Sequence, residues 1–155
     1  MSDDNYEAQR ITSATFLIEV DGVEIGRFME VSGLEVSITV EEISEGGENN
    51  YVHKLPGRMT FPNIVLKRGV TRNDKMLTWL TKSAGEQFEA NSNKLKRSTA
   101  AITLIGPTAN RLRSWSFDGA FPVKWTGPQF AVDSTNPAVE ELEIAHNGFR
   151  AETLT

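Results

Sequence analysis

The chain has 155 residues and a net charge of -5, long enough to bury a core of its own and too acidic for generic attraction to phosphate backbones. It contains no cysteine, which excludes disulfides, thiolate metal sites and a cysteine nucleophile. With 39% hydrophobic and 24% charged residues, and no apolar run near the ~20 residues that span a bilayer, one domain over residues 1–155 without membrane insertion is expected.

Residues 1–12 are polar and aperiodic, and read as a flexible lead-in. The opening Met1-Ser2-Asp3-Asp4-Asn5 is acidic where a secretory signal would be basic and then apolar, so synthesis in the cytoplasm is expected. Phe16, Ile18 and Val20 then alternate with polar neighbours up to Asp21-Gly22, the residue pair of a two-residue hairpin turn. Val23 to Val31 is the return strand, with Gly26 marking a bulge or a close backbone approach. After Ser32-Gly33, Leu34, Val36, Ile38 and Val40 oppose Glu35, Ser37, Thr39 and Glu41, the pattern of a strand with one wet face.

The next stretch breaks that pattern. Glu45, Gly46 and Gly47 open a polar arm that Pro56-Gly57 closes, and residues 45–57 are too many for a tight turn. Loops of this length inside a compact domain are functional or disordered. Met59 to Lys67 resumes as a strand interrupted by Pro62, which suits an edge or a bulge because proline cannot donate to the ladder.

Thr71-Arg72-Asn73-Asp74 offers side-chain oxygens to cap a helix carrying Met76, Leu77 and Leu80 at helical spacing and stopping at Gly85. Trp79 beside that stripe reads as a core-covering aromatic. Gln87 to Arg97 is a polar loop whose Lys94-Leu95-Lys96-Arg97 cluster lacks the aromatic platform of a nucleic-acid site, so no specific nucleic-acid binding is expected. Strands follow at Ala101 to Ile105 and Leu112 to Ala120, then an extended run from Phe121 to Pro128. Ala138 to Ala145 closes the sheet, with Glu140, Leu142 and Ile144 opposite Val139, Glu141 and Glu143, and the tail from His146 is short. The fold class is therefore mainly β: a small antiparallel β-barrel or sandwich with one flanking α-helix and a long extended arm.

Motifs for chemistry are lacking. His53 and His146 belong to no zinc-ligand spacing, Gly46-Gly47 lacks the strand-loop-helix context of a phosphate cradle, and no nucleophile elbow occurs. The clusters Glu41-Glu42-Ser44-Glu45-Glu48 and Glu140-Glu141-Glu143 read as solvated strand faces rather than a paired-carboxylate site. No catalytic, cofactor-binding or metal-ligating residue is nominated.

Taken together, several segments carry a resemblance. They are Phe16-Leu17-Ile18-Glu19-Val20-Asp21-Gly22, Phe28-Met29-Glu30-Val31-Ser32-Gly33-Leu34, Glu45-Gly46-Gly47 with Lys54-Leu55-Pro56-Gly57, and Phe61-Pro62-Asn63-Ile64-Val65-Leu66-Lys67-Arg68-Gly69. Trp115, Pro122-Val123-Lys124-Trp125-Thr126-Gly127-Pro128 and Val139-Glu140-Glu141-Leu142-Glu143-Ile144-Ala145-His146 complete the set. In this order they resemble the tail tube proteins of contractile-tailed phages and the Hcp-like inner tube proteins of contractile injection systems.

That resemblance implies a non-enzymatic structural protein that self-assembles as hexameric rings stacked into a hollow tube. Its implied partners are a contractile sheath protein, baseplate or spike proteins, tube-cap proteins and cargo in the lumen, and its final location is a phage tail or an injection particle. It further implies an arm reaching neighbouring subunits, which nominates Glu45, Gly46, Gly47, Asn50, Lys54, Leu55, Pro56 and Gly57 as interface residues. The stretch from Ala84 to Arg97 departs from the family pattern, being longer and less regular. The three tryptophans and single helix leave a monomeric ligand-binding β-barrel as the alternative.

Overall fold

A computed structural model describes residues 14–44, 46–47, 51–72, 75–84, 97–129, 131–133 and 135–153. β1 (Thr15–Val20) and β2 (Val23–Phe28) form the first hairpin. Asp21 and Gly22 both take positive φ, 49° and 79°, as a turn matching the twist of the flanking strands requires. Ile18 faces Gly26 while Glu19 faces Glu24, so Ile25 is a bulge. A Cβ on Gly26 would run into the Arg68 guanidinium, so the bulge lies one residue before this glycine and the group that approaches it closely is a side chain rather than backbone.

The predicted return strand is broken at Met29. β3 (Glu30–Ser32) leaves β2's sheet and pairs instead with β6 (Ile64–Gly69). β7 (Ser98–Ile105), β8 (Arg111–Thr126), β9 (Val139–Ala145) and β10 (Phe149–Thr153) complete an antiparallel path in the order β2-β1-β7-β8-β9-β6-β3, with β10 also on β8.

The expected strand and extended run in the second half are one 16-residue strand, β8. Its first half lies between β7 and β10, and its second half pairs with β9. The bend falls at Gly119, with φ +62°, opposite His146-Asn147-Gly148. β8 thus passes from one sheet to the other, as does the β2–β3 segment across Met29, and such sheet-switching strands build the corners of a two-layer β structure. No ladder joins β2 to β3, so the barrel is not closed. The tail from His146, expected only to be short, supplies the strand β10.

Ile18, Phe28, Ile64, Leu66, Ile102, Phe117, Leu142 and Ile144 fill the core. α1 (Lys75–Ala84) packs on β8 and β2. It buries Met76, Trp79 and Ser83 while Leu77 and Leu80 are only half-buried, so the inward face is rotated from the expected one toward Trp79. Trp79 is a core residue, and Trp115 and Trp125 pack partly buried against the same core. The expected cap residues Asn73 and Asp74, the stop at Gly85 and the loop to Lys96 lie outside the described residues. Among the described residues no helix is long and apolar enough to cross a membrane.

Candidate functional site

β4 (Ser37–Ile43) and β5 (His53–Thr60) form a separate two-stranded sheet. The arm is therefore a hairpin that begins earlier and ends later than residues 45–57. Gly46 and Gly47 occupy its turn, Gly47 at φ +110° with nothing within 4 Å of where a Cβ would sit. Lys54, Leu55 and Pro56 pair with Glu42, Glu41 and Val40. Glu45 and Asn50 lie outside the described residues.

The expected role of β4 changes accordingly. Its alternation predicted a core strand with one wet face, whereas every residue from Ser37 to Ile43 is exposed. A period of two reports that one face is apolar, and leaves open whether that face meets its own core or another molecule.

Pairing sorts the arm's side chains onto two faces, because residues directly opposite in a ladder share a face. Ile38 with Met59 and Val40 with Pro56 make an apolar patch near the root, ending in the pair Glu42 and Lys54. The other face carries Ser37 with Thr60 at the root, their hydroxyls 2.8 Å apart. Toward the tip it presents Leu55 beside Glu41 and Ile43 beside His53, and Tyr51 joins this side with its ring edge-on to His53 at 5.1 Å. Between root and tip the register shifts at Thr39, whose hydroxyl accepts the Arg58 N–H at 2.8 Å. Gly57 lies directly against Thr39, leaving no room for a Cβ.

The root is fixed. Gly33, at φ +87°, abuts the Asn63 backbone where no Cβ would fit. The Asn63 amide donates to Glu143 at 2.8 Å, and Phe61 packs against Phe149 and His146. Leu34 and Val31 pack against the core. A rigid foot thus presents a two-stranded blade with apolar surface on both sides.

His146 ties that foot to the β9–β10 corner. The Gly148 N–H donates to Nδ1 at 3.1 Å, so Nε2 carries the ring proton and donates it to the Pro62 carbonyl at 3.1 Å. Burial lowers its pKa below 6.5, partly opposed by the Pro62 carbonyl. A folded pKa below the unfolded one means that the unfolded chain binds the proton first. The contribution is complete above about pH 6.5 and is lost as pH falls through the folded pKa. Denaturant midpoints taken between about pH 7.5 and 5.5 are expected to drop more for the wild type than for His146→Asn, whose side-chain oxygen can still accept the Gly148 N–H.

Comparison with known proteins places this architecture. Residues 12–150 match the family described as T4-like virus tail tube protein gp19. Among solved structures, a chain of the sheath–tube complex of an extracellular contractile injection system, PVC, in its extended state superposes with TM-score 0.74 at 25% identity, covering 99% of each chain. A chain of the anti-feeding prophage tube-terminating cap gives TM-score 0.72 at 26% identity over 90% of this chain and 88% of that one. Hcp1 from Flavobacterium johnsoniae, at 18% identity and TM-score 0.50 over 90% of this chain and 95% of that one, shares the fold. No curated protein sequence matches the chain. A mainly β chain with a single helix among its described residues, matched by that family over nearly its whole length, belongs to the T4-like virus tail tube protein family.

Proposed function

We propose that the chain is the protomer of the inner tube of a contractile phage tail or contractile injection particle. It is made and assembled in the cytoplasm as hexameric rings stacked around a lumen, and a contracting sheath drives the tube through a target envelope. Sheath, baseplate and cap proteins are its partners, and it performs no enzymatic step.

The observation that carries this reading is the β4–β5 blade. Ile38, Val40 and Met59 on one face and Ile43, Tyr51 and Leu55 on the other are all exposed, and apolar patches left uncovered on both sides of a blade mark it as an interaction element. Among the described residues β2 and β10 each have a neighbouring strand on one side only, and assembly would cover the other side. Family membership and the likeness to PVC and anti-feeding prophage tube-associated chains support the same reading. The ligand-binding alternative is weakened because Trp79, Trp115 and Trp125 are used in packing.

Electron micrographs of the purified protein, alone or with cap and baseplate partners, are expected to show rings and stacked tubes. A protein that stays monomeric at high concentration even with those partners would sink the reading.

A further inference from the structure

The corner between β9 and β10 holds the chain's only Asn-Gly pair, Asn147-Gly148. The Gly148 nitrogen and the Asn147 side-chain carbonyl carbon are near neighbours along the chain, and a bond between them closes a succinimide ring. Gly148 has no side chain to obstruct that ring, and Asn147 is exposed, so water reaches it.

Two other residues meet this pair at the reacting atoms. The Gly148 N–H donates to His146 Nδ1 at 3.1 Å, and the Pro62 carbonyl, 3.1 Å from Nε2, holds the tautomer that leaves Nδ1 its lone pair. A base within hydrogen-bond reach of the proton it removes, itself oriented by a third group, is the arrangement of an activated nucleophile. On the electrophile's side, Arg97 Nη1 donates to Asn147 Oδ1 at 3.1 Å and to the Gly119 carbonyl at 3.2 Å. The guanidinium lies over the Phe121 ring, 5.0 Å from its centre. A fixed cation therefore stands where negative charge develops when the amide is attacked.

We propose that Asn147 is a self-modifying site, at which His146 and Arg97 convert the side-chain amide to a succinimide and then to a carboxylate. His146 Nδ1 takes the Gly148 amide proton as the nitrogen attacks Asn147 Cγ. The Cγ–Nδ2 bond breaks, the imidazolium passes the proton to the departing nitrogen, and ammonia leaves. Water then opens the ring at either of its carbonyls, giving aspartate or isoaspartate at position 147. Both products set a carboxylate against Arg97, and isoaspartate also inserts a methylene into the main chain at the corner that seats β10 on β8. The site stands independently of the assembly reading.

Peptide mapping by mass spectrometry follows loss of the Asn147 amide. At about pH 7.5, above the usual histidine pKa, the folded protein is expected to lose it about tenfold faster than the same chain unfolded in urea, a modest share of the ~100-fold that a positioned base supplies. The rings of Phe61, Phe117 and Phe149 surround the imidazole, and the charged side chains on the same elements are engaged, Glu143 with Asn63 and Asp118 with Arg150. The folded rate should thus rise through the pKa of His146, which burial holds below 6.5, and level off above it, whereas the unfolded rate keeps rising with hydroxide. His146→Asn, which can still accept the Gly148 N–H but cannot take its proton, should lose most of the acceleration and the plateau. Arg97→Met should slow the folded rate several-fold with the midpoint of the pH profile unmoved.

An unfolded chain that loses the amide as fast as the folded one would show that the corner shields Asn147, and would overturn the proposal without recourse to any variant. A folded rate that climbs with hydroxide throughout would overturn it equally, because His146 would then not be the base.

Discussion

Ile38→Ser combined with Val40→Ser should abolish ring formation at concentrations where the wild type assembles, with the thermal midpoint of the monomer unchanged. Both side chains lie on the root patch of the arm, 49% and 58% exposed, and neither belongs to the core cluster. Full burial of an aliphatic side chain is worth about 1.5–3 kcal/mol. Half of that surface is already covered in the monomer, so about 1 kcal/mol per residue remains to be gained on association. Two residues make about 2 kcal/mol per contact, more than a tenfold loss in association constant, and the loss compounds at every joint of a closed ring. Sedimentation and micrographs report the assembly, and circular dichroism reports the fold. A variant that still forms rings at wild-type concentrations would show that the root patch is not an interface, and one that melts early would show that the arm is part of the monomer's own stability.

The same residues mark the limit of what the sequence reveals. Turn chemistry at Asp21-Gly22 and alternation in β1 and β9 specify local structure through steric preferences of the backbone and the burial of one face, and each was legible. Glu140, expected with Glu141 and Glu143 on a solvated face, is 6% exposed instead, because it stands in the inward row of Leu142 and Ile144 and pairs with Arg68. Val36, Ile38 and Val40 have the same alternation, yet their apolar side meets no core of their own, because periodicity encodes a face and not its partner. β8 was expected as a strand ending at Ala120 and an extended run continuing from Phe121, and it is one strand across that boundary. Gly119 makes the bend between sheets, and Pro122 stands beside a register shift in the β8–β9 ladder. β10 was missed because Phe149 to Thr153 is short, and its pairing with β8 is set by the corner at His146-Asn147-Gly148 rather than by its own composition. The arm was expected as a long loop over residues 45–57, whereas Lys54, Leu55, Pro56 and Gly57 lie in the strand β5 and the partner strand β4 was assigned to the core.

The second large effect lies inside the fold. Glu140→Ala is expected to cost about 3–5 kcal/mol, because it removes the buried carboxylate to which the Arg68 guanidinium donates. Arg68 and Glu140 are 3% and 6% exposed, and Arg68 Nε donates to Glu140 Oε1 at 2.5 Å across the β6–β9 ladder. The guanidinium also stands 5.0 Å from the centre of the Phe28 ring and occupies the space left by the missing side chain of Gly26. The pair thus locks β6 and β9 of one layer to β2 of the other, beside the point where the chain changes sheets at Met29. A domain holds only about 5–15 kcal/mol in total, so the single substitution should leave little folded protein at elevated temperature. Removing both charges has a different sign: Arg68→Met with Glu140→Leu relieves the desolvation of two ions and keeps the volume filled, and buried pairs replaced in this way are often neutral or more stable. Urea midpoints of the monomer for the single and double variants decide the matter. A single variant within about 1 kcal/mol of wild type, the range of an exposed pair, would show that solvent reaches the site. A double variant as unstable as the single would show instead that the contacts with Phe28 and Gly26, rather than the paired charges, hold the two layers together.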